Sequence, residues 1–200
     1  AKDFVELRDF YELIDRIILP AKSYGKLGGK SAGLFLATKI LEKNTAPEIS
    51  KSIKVPKTWY IPSDGVIHFM HYNDLEEVIE QKYKDIEAIR REYPHIVQIF
   101  KNSEFPPEFI NGLSVALDDL GDKPLIVRSS SLLEDQFGAA FSGKYKSLFL
   151  ANQGTKHERL IALMDAISEV YASTFGPDPI EYRAERGLLD FHEEMGIMIQ

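Results

Sequence analysis

Hydrophobic positions along the chain mark out a series of helices separated by short extended runs. Leu7, Phe10, Tyr11, Ile14, Ile17 and Ile18 recur at helical spacing and predict a helix over residues 4–18, stopped by Pro20. A second helix is expected from Lys30 to about Lys43, with Gly33, Leu36, Ala37, Ile40 and Leu41 on its inner face. Residues 44–50 read as a connector, and residues 53–61 as an extended segment interrupted by Pro56. Ser63 or Asp64 can cap a helix through His71, and Asn73 or Asp74 can cap the next. Residues 74–101 are helical in pattern, with a break expected near Pro94, and their mixed charges suit a solvated face.

The second half alternates more strongly. Pro106 and Pro107 open a helix that Gly121 ends. Leu125, Ile126 and Val127 form a short apolar strand, followed by a polar loop over residues 128–144 and a strand over 145–150. Residues 157–173 place Leu160, Leu163, Met164, Ile167, Val170 and Tyr171 inward on a helix, and Pro177 opens another to about Arg186. Residues 195–200 read as a strand in which the chain ends, so a partner strand is expected beyond it. Strands mixed with helices predict an α/β or α+β fold.

Composition narrows the function classes. The 200 residues carry 24 Lys and Arg against 31 Asp and Glu, a formal charge of −7, and 44% are hydrophobic. This is a globular composition, long enough for one large domain or two small ones. No cysteine is present, which removes disulfides, thiolate catalysis and cysteine-bound zinc. No apolar run is long enough to span a membrane, and no signal peptide opens the chain. A first residue of Ala suggests a processed or excised piece. The acidic balance argues against a general nucleic-acid binder but not against an anionic ligand held by local donors.

Three segments could carry chemistry. Gly28-Gly29-Lys30-Ser31 opens the second helix. Adjacent glycines allow close backbone approach, the helix start offers free N–H groups, and Lys30 adds a cation, a set that suits phosphate. A Walker A loop would need four residues between its glycines, and Gly25 leaves only three. The other reading is a plain loop with Lys30 solvated. Val127-Arg128-Ser129-Ser130-Ser131 runs a strand into a guanidinium and three hydroxyls, which could grip phosphate oxygens. Alternatively Arg128 pairs with Glu134 or Asp135 and the serines form a turn. Gly138 to Lys144 could close as a flap over phosphates or be a simple hairpin loop. Glu134 and Asp135 could hold metal, act as a base, anchor Arg128, or be surface charge. His68 and His71 have no further ligand in view, and Arg183 is expected in a helix-surface ion pair.

Taken in order, GGKSAGL, VPKTWYI, PLIVRSSSLLEDQFGAAFSGKYKSLF, DAISEVYASTFGPDPIEYRAERG and EMGIMIQ resemble the ATP-binding domain of phosphoenolpyruvate synthases and pyruvate phosphate dikinases. The resemblance covers most of the chain, and residues 62–105 carry least of it. It implies an α+β, ATP-grasp-like nucleotide domain, incomplete at its C-terminus. Residues 1–122 would form a helix-rich subdomain and residues 123–200 the phosphate-binding part. Lys30 and Arg128 would contact ATP phosphates as the catalytic pair. Gly28, Gly29, Ser129, Ser130, Glu134, Asp135, Ser142 and Gly143 would complete the binding site, with the loop from Ser129 to Gly143 over the phosphates.

The same resemblance implies a cytoplasmic kinase using ATP and Mg2+. It would pass the β-phosphoryl of ATP to a histidine on a separate domain, and a third, pyruvate-binding domain would make phosphoenolpyruvate. Related enzymes act on glucans or an antibiotic. The metal ligands and adenine-binding strands would lie past Gln200, so this chain alone would bind ATP weakly without turnover. Gln136-Phe137 departs from the Leu-Pro pair of many members. Two alternatives remain: an ATP-grasp-like regulatory or binding module without transfer, and a P-loop nucleotidase built on Gly28 to Ser31.

Overall fold

The sheet that organises the molecule is assembled from four short antiparallel strands far apart in sequence. In a computed structural model that describes residues 4–19, 22–131, 143–191 and 194–200, they are β1 (Trp59–Ile61), β2 (Leu125–Ser131), β3 (Ser147–Leu150) and β4 (Met195–Ile199). Their order is β1-β4-β2-β3. Register pairs Tyr60 with Met198, Met198 with Arg128, and Arg128 with Ser147. Since paired residues of neighbouring strands project to one side, these four side chains share a face. The fold is α+β, with helices around an antiparallel sheet.

The opposite face builds the core. Trp59, Ile61, Leu125, Val127, Ile197 and Ile199 are buried there. They join α4 (Gly65–Tyr72), α5 (Ile86–Lys101), α6 (Pro107–Leu120) and α7 (Lys156–Ala172) in one cluster. Phe69 of α4 lies at its centre, with ring contacts to Phe105 at 4.8 Å and to Phe100 and Tyr171 at 5.7 Å. A fully buried ring of this kind contributes about 1.5–3 kcal/mol by area. Truncation of Phe69 to Ala would cost roughly 3–5 kcal/mol because a cavity remains. The stripe read from residues 157–173 is the inner face of α7: Leu163, Ile167, Val170 and Tyr171 are buried, and Leu160 and Met164 pack against the cluster. Thr155 opens that helix with a capping box to Glu158.

Several expectations are corrected. The first helix, α1, spans only Leu7–Ile14. Its apolar stripe faces outward, with Leu7 82% and Tyr11 72% exposed. The chain leaves the helix because Ile18 N–H donates to the Tyr60 carbonyl and Tyr60 N–H to the Arg16 carbonyl, an added strand-like bridge that buries Ile18. Helix α2 (Gly29–Asn44) has the expected span, but Gly33, Ala37 and Leu41 are exposed, and its buried first-turn residue is Ser31. Within the connector after it sits one short helix, α3 (Pro47–Ser50).

Pro94 does not break its helix, since α5 runs through it. Pro94 is exposed, so the carbonyl left without its N–H partner can turn to water. The break falls earlier, where a 3-10 helix (Glu76–Tyr83) ends and Asp85 caps α5 through Glu87 N–H. Asn73 is not a cap there; its amide bridges the Phe69 and Glu104 carbonyls. The serines after Arg128 are not a turn, because β2 continues through Ser131. Nor does β4 lack a sheet partner, as it is paired on both sides. Helix α8 (Pro177–Glu185) follows the reading from Pro177.

Candidate functional site

Strand β3 pairs with β2 only as far as Arg128. Beyond that point the first turn of α2 attaches to β2 instead. Ser31 N–H donates to Ser130 Oγ at 3.0 Å, and the two hydroxyls lie 2.8 Å apart. Lys30 Nζ donates to the Ser129 carbonyl at 3.2 Å and to Ser129 Oγ at 3.3 Å, across 99 positions of sequence. Ser31, Ser129 and Ser130 are all buried. Satisfied hydroxyls in such a seam fix the helix on the strand, whereas one missing partner would leave a costly buried donor.

Glycine at position 28 is a requirement of this seam. A Cβ there would overlap the backbone carbonyl of Ser130. Gly28 caps α2 with an extended backbone and no side-chain bond. The amides of the first helical turn have no intrahelical acceptor. The start of α2 therefore brings its first-turn amides, with that of Ser31 bonded to Ser130, and the positive end of the helix dipole to the end of β2.

Arg128 stands two residues before Ser130 on the same sheet face, half-buried. Among the described residues its side chain makes no hydrogen bond and no ion pair. Gly28, Gly29, Lys30, Ser129 and Ser130 thus meet at one helix–strand junction, and Arg128 precedes it on β2 with its side chain on the Ser130 face. Gly143 is at a left-handed turn with φ 81° before β3. Glu134, Asp135 and Ser142 lie outside the described residues, as do residues 132–142 of the loop expected from Ser129 to Gly143 over the phosphates, while Ser129 to Ser131 belong to strand β2 rather than to a loop. So does the expected ion pair of Arg128 with Glu134 or Asp135.

Other candidates are displaced. Ser31, which a P-loop would need to present to a metal, is buried and bonded to Ser130. His71 Nδ1 contacts Glu76 at 2.6 Å, and this carboxylate raises its pKa. His68 approaches Asp64 at 3.6 Å. Arg183 is not on the helix surface: it is 3% exposed and donates to the carbonyls of Thr174 at 2.7 Å and Pro179 at 3.2 Å. Burial lowers its pKa to about 10. Among the described residues there is no group of three or more His, Asp or Glu able to hold a metal ion. Among them, too, no helix is long and apolar enough to cross a membrane.

Sequence reasoning missed Asp64 as part of this region. It sits at the N-cap position of α4 but makes no side-chain capping hydrogen bond there, and it binds the backbone of the glycine loop instead. Comparison with known families matches residues 24–200 to the family described as pyruvate phosphate dikinase, AMP/ATP-binding domain. The match begins in the glycine loop and takes in both sides of the helix–strand junction. The chain belongs to the pyruvate phosphate dikinase AMP/ATP-binding domain family.

Proposed function

We propose that this chain is the ATP-binding part of a phosphotransferase that passes the β-phosphoryl of ATP to a histidine on another domain, in the service of making phosphoenolpyruvate from pyruvate. Lys30 and Arg128 hold the phosphates, with Gly28, Gly29, Ser129 and Ser130 supplying the backbone and hydroxyl frame. Glu134, Asp135, Ser142 and Gly143 belong to the loop that completes the site. The fold is read as ATP-grasp-like. Residues 1–122 serve as its helix-rich part and residues 123–200 as its phosphate-binding part, joined through a sheet that draws β1 from the former. The setting is cytoplasmic.

One observation carries this reading. The first turn of α2 is bonded to Ser129 and Ser130, so the ammonium of Lys30 lies on the residue that follows Arg128 in β2, beside the start of a helix. That donor set suits a polyphosphate, which takes charge-assisted bonds from a guanidinium and an ammonium and dipole stabilisation from a helix start. ATP, when bound, supplies the transferable phosphoryl group. Lys30 and Arg128 then neutralise charge developing on its oxygens, and the rigid seam fixes their positions, so catalysis is orientation plus electrostatics. The described residues offer Mg2+ no set of three or more side-chain ligands, and these roles require none from them.

The test is Arg128→Ala, with ATP affinity read by calorimetry and phosphohistidine read by mass spectrometry in the protein joined to its histidine domain. Loss of one charged hydrogen-bond pair predicts affinity lower by about 10–100-fold and phosphohistidine formation reduced by at least as much. Unchanged values would reject the assignment. ATP binding without any phosphohistidine would favour the alternative, a nucleotide-binding regulatory module. On its own, this chain is expected to bind ATP weakly and not turn it over.

A further inference from the structure

The loop that leads into α2 is held on a second side by residues the phosphate reading does not use. The Asp64 carboxylate accepts from Ser23 Oγ at 2.9 Å, Tyr24 N–H at 2.8 Å and Gly25 N–H at 2.9 Å. At Gly25, too, a Cβ would overlap its surroundings, here the Asp64 carboxylate and the Pro62 ring. Next to it, Ser63 forms a two-way bond with Lys26: Lys26 N–H donates to Ser63 Oγ at 3.0 Å, and Ser63 N–H to the Lys26 carbonyl at 2.9 Å. Ser63 Oγ also donates to Glu194 Oε2 at 2.6 Å, one residue before β4. The loop is therefore clamped between the start of α4 and the entry of β4 on one side, and Ser130 of β2 on the other.

We propose that Asp64 is a positioning residue of the polyphosphate site. It acts through the loop backbone and touches no ligand. Residues 23–28 form a glycine-bearing connector with no helix or strand of its own, which would sample many conformations if untethered. Donors bind an anion strongly only when they are already aimed at it. Three bonds to one carboxylate fix residues 23–25, and the Ser63–Lys26 pair carries that constraint to within two residues of Gly28. Asp64 thereby sets where the first turn of α2 presents its amides and Lys30. The inference rests on the phosphate reading and adds to it the group that pre-organises the site.

The experiment compares Asp64→Ala, Asp64→Asn and Arg128→Ala in the protein, titrated with ATP and with inorganic tripolyphosphate, alongside melting and amide hydrogen exchange. Expected for Asp64→Ala is a loss of roughly 10-fold or more for both ligands, since three hydrogen bonds to a charged group are removed. The Tyr24 and Gly25 amides should exchange faster while β2 and β4 stay protected. Asp64→Asn, which keeps one acceptor oxygen, should recover part of the affinity; a merely structural contact would move the melting point without this ligand-affinity pattern. Affinity within about twofold of the parent in Asp64→Ala, together with loss in Arg128→Ala, overturns this role alone. Unchanged affinity in Arg128→Ala overturns the phosphate reading and this role with it. If Asp64→Ala does not fold, Ser23→Ala removes one donor, and the expected loss is about 2–5-fold. No change there also overturns the proposal.

Discussion

Ser31 and Ser130 lie on different elements, 99 positions apart, and their hydroxyl oxygens meet at 2.8 Å with the Ser31 amide donating to the same Ser130 oxygen. This contact decides whether a helix start becomes part of a strand-end site. Ser130→Ala strips a buried amide and a buried hydroxyl of their partner at once. The expected cost is about 1–3 kcal/mol in urea unfolding. Ser31→Ala should cost less, since the amide keeps its acceptor, and the double variant should show coupling of about 1 kcal/mol.

Gly28→Ala attacks the same seam by volume. The new methyl meets the Ser130 carbonyl, a backbone group that cannot swing aside. Helix and strand must separate, so stability should fall by about 2–4 kcal/mol. ATP affinity should fall as well. A variant as stable as the parent in denaturant titration would contradict the geometry of the junction.

Arg128→Ala should behave in the opposite way. With no hydrogen bond or ion pair among the described residues, the side chain contributes little to the fold. The unfolding midpoint should stay within the equivalent of about 0.5 kcal/mol of the parent. Retained stability with lost ATP affinity is the pattern of a ligand-binding side chain. Lost stability would mean that Arg128 serves the fold instead.

Local chemistry explains what the sequence made legible. The start of α2, the run Leu125–Val127 and the inner face of α7 each announce themselves by spacing or a flanking glycine, and the structure has each where the pattern puts it. The Asp64 clamp has no such signature. Its partners lie 39–41 positions away, and the residue is equally consistent with a helix cap. An Asx residue before an apolar run reads as a cap because the local acceptor is usually used locally. Here backbone amides of a distant loop compete for it and win.

The outward stripe of α1 and the burial of Arg183 fail for a related reason. Helical periodicity reports that one side is apolar but not which neighbour it meets, so the stripe through Leu7 and Tyr11 marks a helix without revealing that these two residues face solvent. Arg183 reads as surface because isolated arginines usually are. The buried carbonyls of Thr174, within the Ser173–Phe175 turn, and of Pro179, in α8, supply the acceptors that let it enter the interior.

Acid should loosen the junction between β1 and α6 through Asp119. Lys57 Nζ lies 2.7 Å from its carboxylate and Trp59 Nε1 donates at 2.8 Å; the lysine first, then the indole, hold its pKa below the usual 3.8. A carboxyl with a lowered folded pKa stabilises the protein above its unfolded value, and that contribution is lost as pH falls through the folded one. Asp119 is partly exposed, so solvent screening keeps the effect below about 1 kcal/mol. In urea titrations between pH 6 and pH 2 (roughly the span over which an Asp titrates), Asp119→Asn should show a shallower loss of stability than the parent.

Base should act through Tyr171. Its ring is fully buried against Phe69, and its hydroxyl has no hydrogen-bond partner among the described residues. Burial, and secondarily the negative charge of Asp64, raise its pKa well above the ordinary 10.0. The unfolded chain releases this proton near pH 10 while the folded protein keeps it, so the folded state binds more protons and stability falls as pH rises beyond that point. Tyr171→Phe removes both the titration and an unpartnered polar atom while leaving the ring in place. The variant should match or exceed the parent by up to about 1 kcal/mol at neutral pH, and its stability should decline less steeply from pH 9 to pH 11. Tyr171→Ala, which empties the site, should instead cost about 3–5 kcal/mol. A Phe variant destabilised by more than about 1 kcal/mol at neutral pH would mean that the hydroxyl has a partner and that the core around α4 and α7 is organised by a polar contact rather than by packing alone.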